Sequence, residues 1–121
     1  MANYERLEMW QHADRLAHAV HDLPASWPLE EKYGLISQAR RAGFSVAANI
    51  CEGSSRKGRK EFRHFLDISM GSLSELTYAL QFARKRGWAA QGPWAAIEEL
   101  RRERSITLWF LYKAVRGSEP A

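Results

Sequence analysis

Residues 35–56, LISQARRAGFSVAANICEGSSR, constrain the fold more than any other stretch of the chain. Leu35, Ala39, Ala42, Gly43, Val46 and Ile50 recur three and four apart, the spacing of one face of an α-helix. That face is made of small side chains, so a neighbouring helix can pack with its backbone close by. The run reaches Asn49-Ile50-Cys51-Glu52-Gly53, where a glycine followed by Ser54-Ser55 predicts the helix end. A cationic run, Arg56-Lys57-Gly58-Arg59-Lys60, follows at once. The pattern therefore gives a close-packing helix and a basic turn.

Three further segments show the same periodicity. The first covers about residues 4–23, with Leu7, Trp10, Ala13, Leu16, Ala17, Val20 and Leu23 on one side and Glu8, Gln11, Arg15 and Asp22 opposite. Asn3 is its expected N-cap, because the side-chain oxygen can accept a free amide of the first turn. Pro24 and Pro28 bracket a turn containing Trp27, since proline lacks the amide that would continue a helix. The central helix takes about residues 30–52, with Tyr33-Gly34 as a bend near its start. The longest, about residues 59–86, carries the stripe Phe62, Phe65, Leu66, Ser69, Leu73, Leu76, Leu80 and Ala83, and Ser69 and Ser72 favour close helix contact. Arg84-Lys85-Arg86 suits its C-terminal end, with Gly87 as a left-handed cap. Gly92-Pro93 opens the fourth, about residues 93–116, whose inward side is Ile97, Leu100, Leu108, Leu111 and Val115.

Nothing reads as a strand. The 121 residues fit one domain, and four amphipathic helices on short links predict an all-α fold, an antiparallel up-down-up-down four-helix bundle. No stretch approaches the roughly 20 consecutive apolar residues of a membrane span. The start, MANYERLEMW, carries charges where a signal peptide needs apolar residues, so a cytoplasmic protein is expected. The lone Cys51 excludes an internal disulfide and reads as a small packing residue rather than a nucleophile. The net charge of +4 is unevenly spread: residues 1–35 hold three Lys or Arg against six carboxylates, the remainder fifteen against eight. The two parts can complement each other between subunits, and the basic part can equally attract a polyanion.

One bundle needs one apolar stripe per helix, yet two of these segments, the third and the fourth, have two. Ile68, Gly71, Glu75, Tyr78 and Phe82 also follow three-and-four spacing, turned well away from the Phe62–Leu76 side at roughly 100° per residue. Ile106, Trp109 and Phe110 on the fourth helix, and Phe44 on the second, also project outward. Several outward aromatics on one bundle point to an interface, and a closed homo-oligomer is the expected use of the Ile68–Phe82 stripe with Trp109 and Phe110.

The pattern Trp10, Pro28, Glu31, Tyr33-Gly34-Leu35, Gln38, Arg41-Ala42, Ser45, Asn49-Ile50-Cys51-Glu52-Gly53, Arg56, Phe62, Phe65-Leu66 and Gly71-Ser72-Leu73-Ser74-Glu75-Leu76 resembles a bacterial family. That family comprises small four-helix-bundle proteins encoded in intervening sequences of large-subunit ribosomal RNA genes; accessory variability proteins of diversity-generating retroelements look similar. The match covers nearly the whole chain and is most specific at Asn-Ile-x-Glu-Gly, where Cys51 stands in place of the usual alanine. The resemblance implies a cytosolic homo-oligomer, commonly a five-membered ring. Its retroelement relatives are thought to bind nucleic acid and a reverse transcriptase through basic surface.

Motifs for chemistry are sparse. Glu61 and His64 form a Glu-x-x-His on a helix, but di-iron bundles need a second copy and further inward carboxylates, which this chain lacks. Asp14, His18 and His21 share a side of the first helix at metal-ligand spacing, yet that side flanks the polar face, so solvated or subunit-facing histidines are expected. Asn49, Glu52 and Gly53 read as structural: Asn49 and Glu52 satisfy backbone groups at a helix end, and Glu52 pairs with Arg41 or Arg56. Glu75, among apolar residues, would need a cation such as Arg104 if buried. No catalytic residue, metal or cofactor is therefore expected.

The basic clusters are the remaining functional signal. Arg56, Lys57, Arg59, Lys60 and Arg63, then Arg84, Lys85 and Arg86, then Arg101, Arg102 and Arg104 are dense enough to neutralise phosphates. No helix-turn-helix, zinc finger or base-stacking motif accompanies them. The expectation is a non-enzymatic homo-oligomer that binds RNA or DNA through basic surface. The alternative is a scaffold that docks another protein through apolar residues such as Trp109 or Phe82.

Overall fold

Helix α1 (Asn3–Asp22) leads through a short 3-10 turn (Leu29–Glu31) into α2 (Leu35–Ser54), and α3 (Arg59–Lys85) follows. The structure is a computed structural model and describes residues 3–22, 27–88, 99 and 102, with no strand among them. The expected fourth helix lies outside the described residues, apart from Glu99 and Arg102, which are both helical.

Particular contacts make successive helices antiparallel. Arg40 Nε, near the start of α2, donates to the His21 carbonyl at the end of α1 at 2.9 Å, satisfying a carbonyl that the helix itself leaves orphaned. Gly43 lies against Val20 and Ala17, and Gly53, late in α2, lies against Phe62 and Phe65, early in α3. Between these points the Ser69 hydroxyl donates to the Val46 carbonyl at 2.9 Å, and the Ser45 and Ser72 hydroxyls share a hydrogen bond of 2.6 Å. Helix α2 is thus central, with α1 and α3 packed against it.

The core follows the expected periodicity with a small rotation. Helix α1 buries Met9, Ala13, Leu16 and Val20, while Trp10 and Ala17 are only half-buried. Helix α2 buries Ile36 rather than Leu35, with Ala39, Ala42, Val46, Ala47 and Ile50; α3 buries Phe62, Leu66, Ser69, Leu73, Leu76, Ala79, Leu80 and Ala83. Phe65 is half-buried. Trp27, just before Pro28, is also buried and joins the core instead of merely linking helices. Leu23 and the inward residues of the fourth helix lie outside the described residues.

Four local expectations need correction. Helix α1 begins at Asn3 itself, so Asn3 is helical rather than a flanking cap. Helix α2 starts at Leu35 rather than near residue 30, because Glu31 and Lys32 amides close 3-10 bonds to Pro28 and Leu29, and the first α-helical bond runs from Gln38 to Gly34. Gly53 does not end α2, which continues to Ser54. Its role is clearance: a Cβ there would sit 2.8 Å from Phe65 Cβ and 3.0 Å from Phe62 Cδ1. Cys51 is exposed, not a packing residue.

The end of α3 is as expected. Gly87 has φ +77°, the Trp88 amide donates to the Ala83 carbonyl and the Gly87 amide to Arg84, both at 3.0 Å. These are the paired bonds of a Schellman ending, which only a residue free of Cβ strain closes cheaply. The ending turns Trp88 back onto Trp27, with ring centroids 6.3 Å apart.

Replacing Gly53 with alanine tests the close approach. The new methyl meets a side-chain stem that cannot swing away, so α2 and α3 must separate, at about 1–3 kcal/mol. Gly71, with nothing within 4 Å of an added Cβ, gains up to about 1 kcal/mol on the same change, through helix propensity. Thermal melts followed by circular dichroism should fall by several degrees for Gly53→Ala and hold or rise for Gly71→Ala.

Candidate functional site

The link between α2 and α3 builds the first cationic surface. Ser55 and Arg56 amides fold back to Glu52 and Gly53 carbonyls, and the Ser55 hydroxyl also donates to Glu52 O at 2.8 Å. Gly58 then adopts φ +95°, ψ +148°, a region open essentially to glycine alone, and the chain reverses into α3. Lys57, Arg59 and Lys60 are exposed around this reversal, with Arg63 half-buried one turn on. Arg56 is tied down: its guanidinium pairs with Glu52 and lies over the Phe65 ring, 5.5 Å from the centroid.

The structure does not merge the expected basic residues into one patch. Arg84, Lys85 and Arg86 are exposed at the other end of α3, about 40 Å from the turn at 1.5 Å per residue. Arg102 is paired with Glu99 at 3.2 Å. Arg101 and Arg104 lie outside the described residues. What remains is a cationic pole at each end of α3.

The second stripe of α3 lies on the outside. Ile68 is 38% exposed, Phe82 41% and Tyr78 68%, with Gly71 and Glu75 exposed between them. Being exposed, Glu75 needs no buried cation, so the expected pairing with Arg104 loses its reason. Tyr78 and Phe82 rings meet edge-on at 6.3 Å, and Phe82 meets Trp88 at 6.2 Å. An aromatic chain therefore runs from the core at Trp27, through Trp88 and Phe82, to the surface at Tyr78. Trp109 and Phe110 lie outside the described residues.

A groove between α1 and α2 escaped the sequence reading. Open to solvent and about 660 Å³ in volume, it is lined by the large rings of Trp10 and Phe44, the small residues Ala17, Ala47, Ala48 and Cys51, and the polar Asp14, His18, His21, Arg40 and Glu52. Phe44 is 69% exposed. The available signal was slight: Phe44 outward on the second helix, with Trp10 on the first and small residues, Ala17, Ala47 and Ala48, between them.

The Asn49, Glu52 and Gly53 signature is structural, but not as helix-end chemistry. Asn49 Nδ2 donates to the Ser45 carbonyl at 2.8 Å and to the Ser45 hydroxyl at 3.0 Å, which in turn meets Ser72 on α3. Asn49 thus orients the polar bridge between α2 and α3, Glu52 holds Arg56, and Gly53 lets the helices approach. Glu61 and His64 are exposed, away from the core. His18 lies 3.4 Å from Asp14, and among the described residues no group of three or more His, Cys, Asp or Glu could hold a metal ion. No described helix is long and apolar enough to cross a membrane.

With this geometry in hand, the chain can be set beside known proteins. A family model described as 23S rRNA-intervening sequence protein matches residues 5–107. A crystal structure of a protein with unknown function from the S23 ribosomal protein family of Bacteroides thetaiotaomicron superposes with a TM-score of 0.80. The two are 21% identical, and the match covers 90% of this chain and 98% of that one, a likeness of fold alone. No curated protein matches.

The shape of the basic turn depends on Gly58 and not on its charges. Gly58→Ala should cost about 1–3 kcal/mol of stability through backbone strain, whereas Lys57→Ala should stay within about 0.5 kcal/mol of the parent. Urea unfolding midpoints of the two variants check both statements.

Proposed function

We propose a function on one premise: this chain belongs to the family of 23S rRNA-intervening sequence proteins. It is a non-enzymatic homo-oligomer that binds nucleic acid, RNA foremost, through the cationic poles of its helical bundle. Residues 93–116 supply the fourth helix, packed against α1 and α3 to complete the up-down-up-down bundle, and copies assemble into a five-membered ring in the cytoplasm. The observation that carries the binding role is the exposed turn of Lys57, Arg59 and Lys60, held outward by Gly58. A single turn of this kind neutralises only a few phosphates. Five of them, held at fixed spacing, engage one strand as a multivalent surface whose later contacts are intramolecular.

The alternative reading, a scaffold for a different protein, draws on the exposed Tyr78 and Phe82. Salt dependence separates the two, because phosphate contacts release counterions and apolar docking does not.

Titration of labelled single-stranded RNA, duplex RNA and DNA across a salt series tests the binding role. Affinity should fall steeply with salt. In Arg59→Ala/Lys60→Ala the log–log slope should flatten by about 1.4–1.8 for each engaged subunit. An intact oligomer that binds none of these at low salt, or an unchanged slope in the variant, removes the proposal.

A further inference from the structure

The subunit carries two uncovered apolar surfaces of opposite shape, and resting on the reading that copies self-associate, their shapes decide how. The outer row of α3 is convex: Ile68, Tyr78 and Phe82 project from one helix. The α1–α2 groove is concave, with Trp10 and Phe44 rising beside a floor of Ala17, Ala47, Ala48 and Cys51. Pairing row with row, or groove with groove, covers one surface and leaves the other in water. We infer that the Tyr78–Phe82 end of the α3 row of one copy seats in the α1–α2 groove of the next, a one-way contact that covers that end of the row and the groove in every copy and closes into a ring.

Charge placement fixes the direction. Glu75 lies on the row and Arg86 just past its end, 11 positions apart, or about 16 Å on a helix. Arg40 and Glu52 edge the groove on α2, 12 positions apart, or about 18 Å. With α3 parallel to the neighbour's α2, Glu75 meets Arg40 and Arg86 meets Glu52 in the same register. In the reversed direction, with Glu75 at Arg40, the residue of the row's own face that comes nearest Glu52 is Glu61, while Arg59, Lys60 and Arg63 at that end lie to the side; only the parallel direction gives both on-face charges, Glu75 and Arg86, an opposite partner. Arg40 suits this role because its Nε bond to the His21 carbonyl holds the guanidinium at the groove's end. In this register Tyr78 and Phe82 lie beside Phe44 and Ala47, aromatic knobs over a small-residue floor, while Lys85 approaches Cys51.

The lone native cysteine makes the register measurable. Phe82→Cys and the milder Lys85→Cys, each retaining Cys51, are treated with a short thiol–thiol bismaleimide, and oligomer mass is followed separately by light scattering. The expected result is a covalent ladder reaching the full subunit number for at least Lys85→Cys. Neither the parent, with Cys51 alone, nor Lys85→Cys in a Cys51→Ser background should form one. Ile68→Cys, which falls beyond the Arg40 end, should link poorly. A ladder that stops at two, or an intact oligomer with no ladder for either variant, overturns the row-in-groove contact and leaves self-association standing. A parent chain of single-subunit mass overturns self-association itself, and the docking with it.

Discussion

Gly53 has no room for a methyl group, and that close approach of α2 to α3 governs the rest of the molecule. Around it, small side chains carry the contact: Ala42, Val46, Ser69, and the Ser45–Ser72 bridge oriented by Asn49. Small faces bring backbones together, and backbones that are close leave little interior between them. Hydroxyls in the seam are satisfied locally, Ser69 by the Val46 carbonyl and Ser45 and Ser72 by each other. The seam is specific because each contact constrains both helices at once.

A thin seam has an outward consequence. Tyr78 and Phe82 of α3 and Phe44 of α2 lie on helix faces turned away from this seam, so they stand in water. Fully covering a large apolar side chain is worth about 1.5–3 kcal/mol. A handful of them gives a favourable term similar to the lower estimates, about 4 kcal/mol and upward, of the cost of immobilising a partner. One such contact is marginal. A ring, in which every subunit makes two, would convert the marginal contact into a stable assembly and repeat the cationic turn at fixed spacing. In such a ring the acidic edge of the groove at Asp14 and Glu52 would oppose the basic end of α3.

The existence of α1, α2 and α3 and the α3 stripe were legible in the sequence because long amphipathic periodicity dominates there. The stripe matched the buried set except for Phe65, which the near approach of Gly53 holds partly at the surface, and the added Ala79. The cap at Gly87 was legible because cations, then glycine, mark a helix ending by local chemistry. Gly53 was misread for the same reason: a glycine before two serines looks like a stop, and only tertiary contact reveals it as clearance for Phe62 and Phe65. The Leu29–Glu31 turn was absorbed into α2 because periodicity does not distinguish one turn of 3-10 helix from the first turn of an α-helix. The groove was invisible since it belongs to two helices, and its signal lies in which outward alanines meet Trp10 and Phe44. Cys51 was placed inside by its small size, although its position on the helix puts it on the groove floor.

The central claim is that Phe44, Tyr78 and Phe82, bare on the subunit, are covered by other copies in the working protein. Hydroxyl-radical footprinting of the intact chain, read residue by residue by mass spectrometry, tests this most directly. Tyr33, 88% exposed and on neither surface, is the internal reference. The account predicts Phe44, Tyr78 and Phe82 strongly protected relative to Tyr33, with protection lost on dilution to single subunits. Oxidation of all three at rates matching their subunit exposure, at the highest attainable concentration, would contradict it.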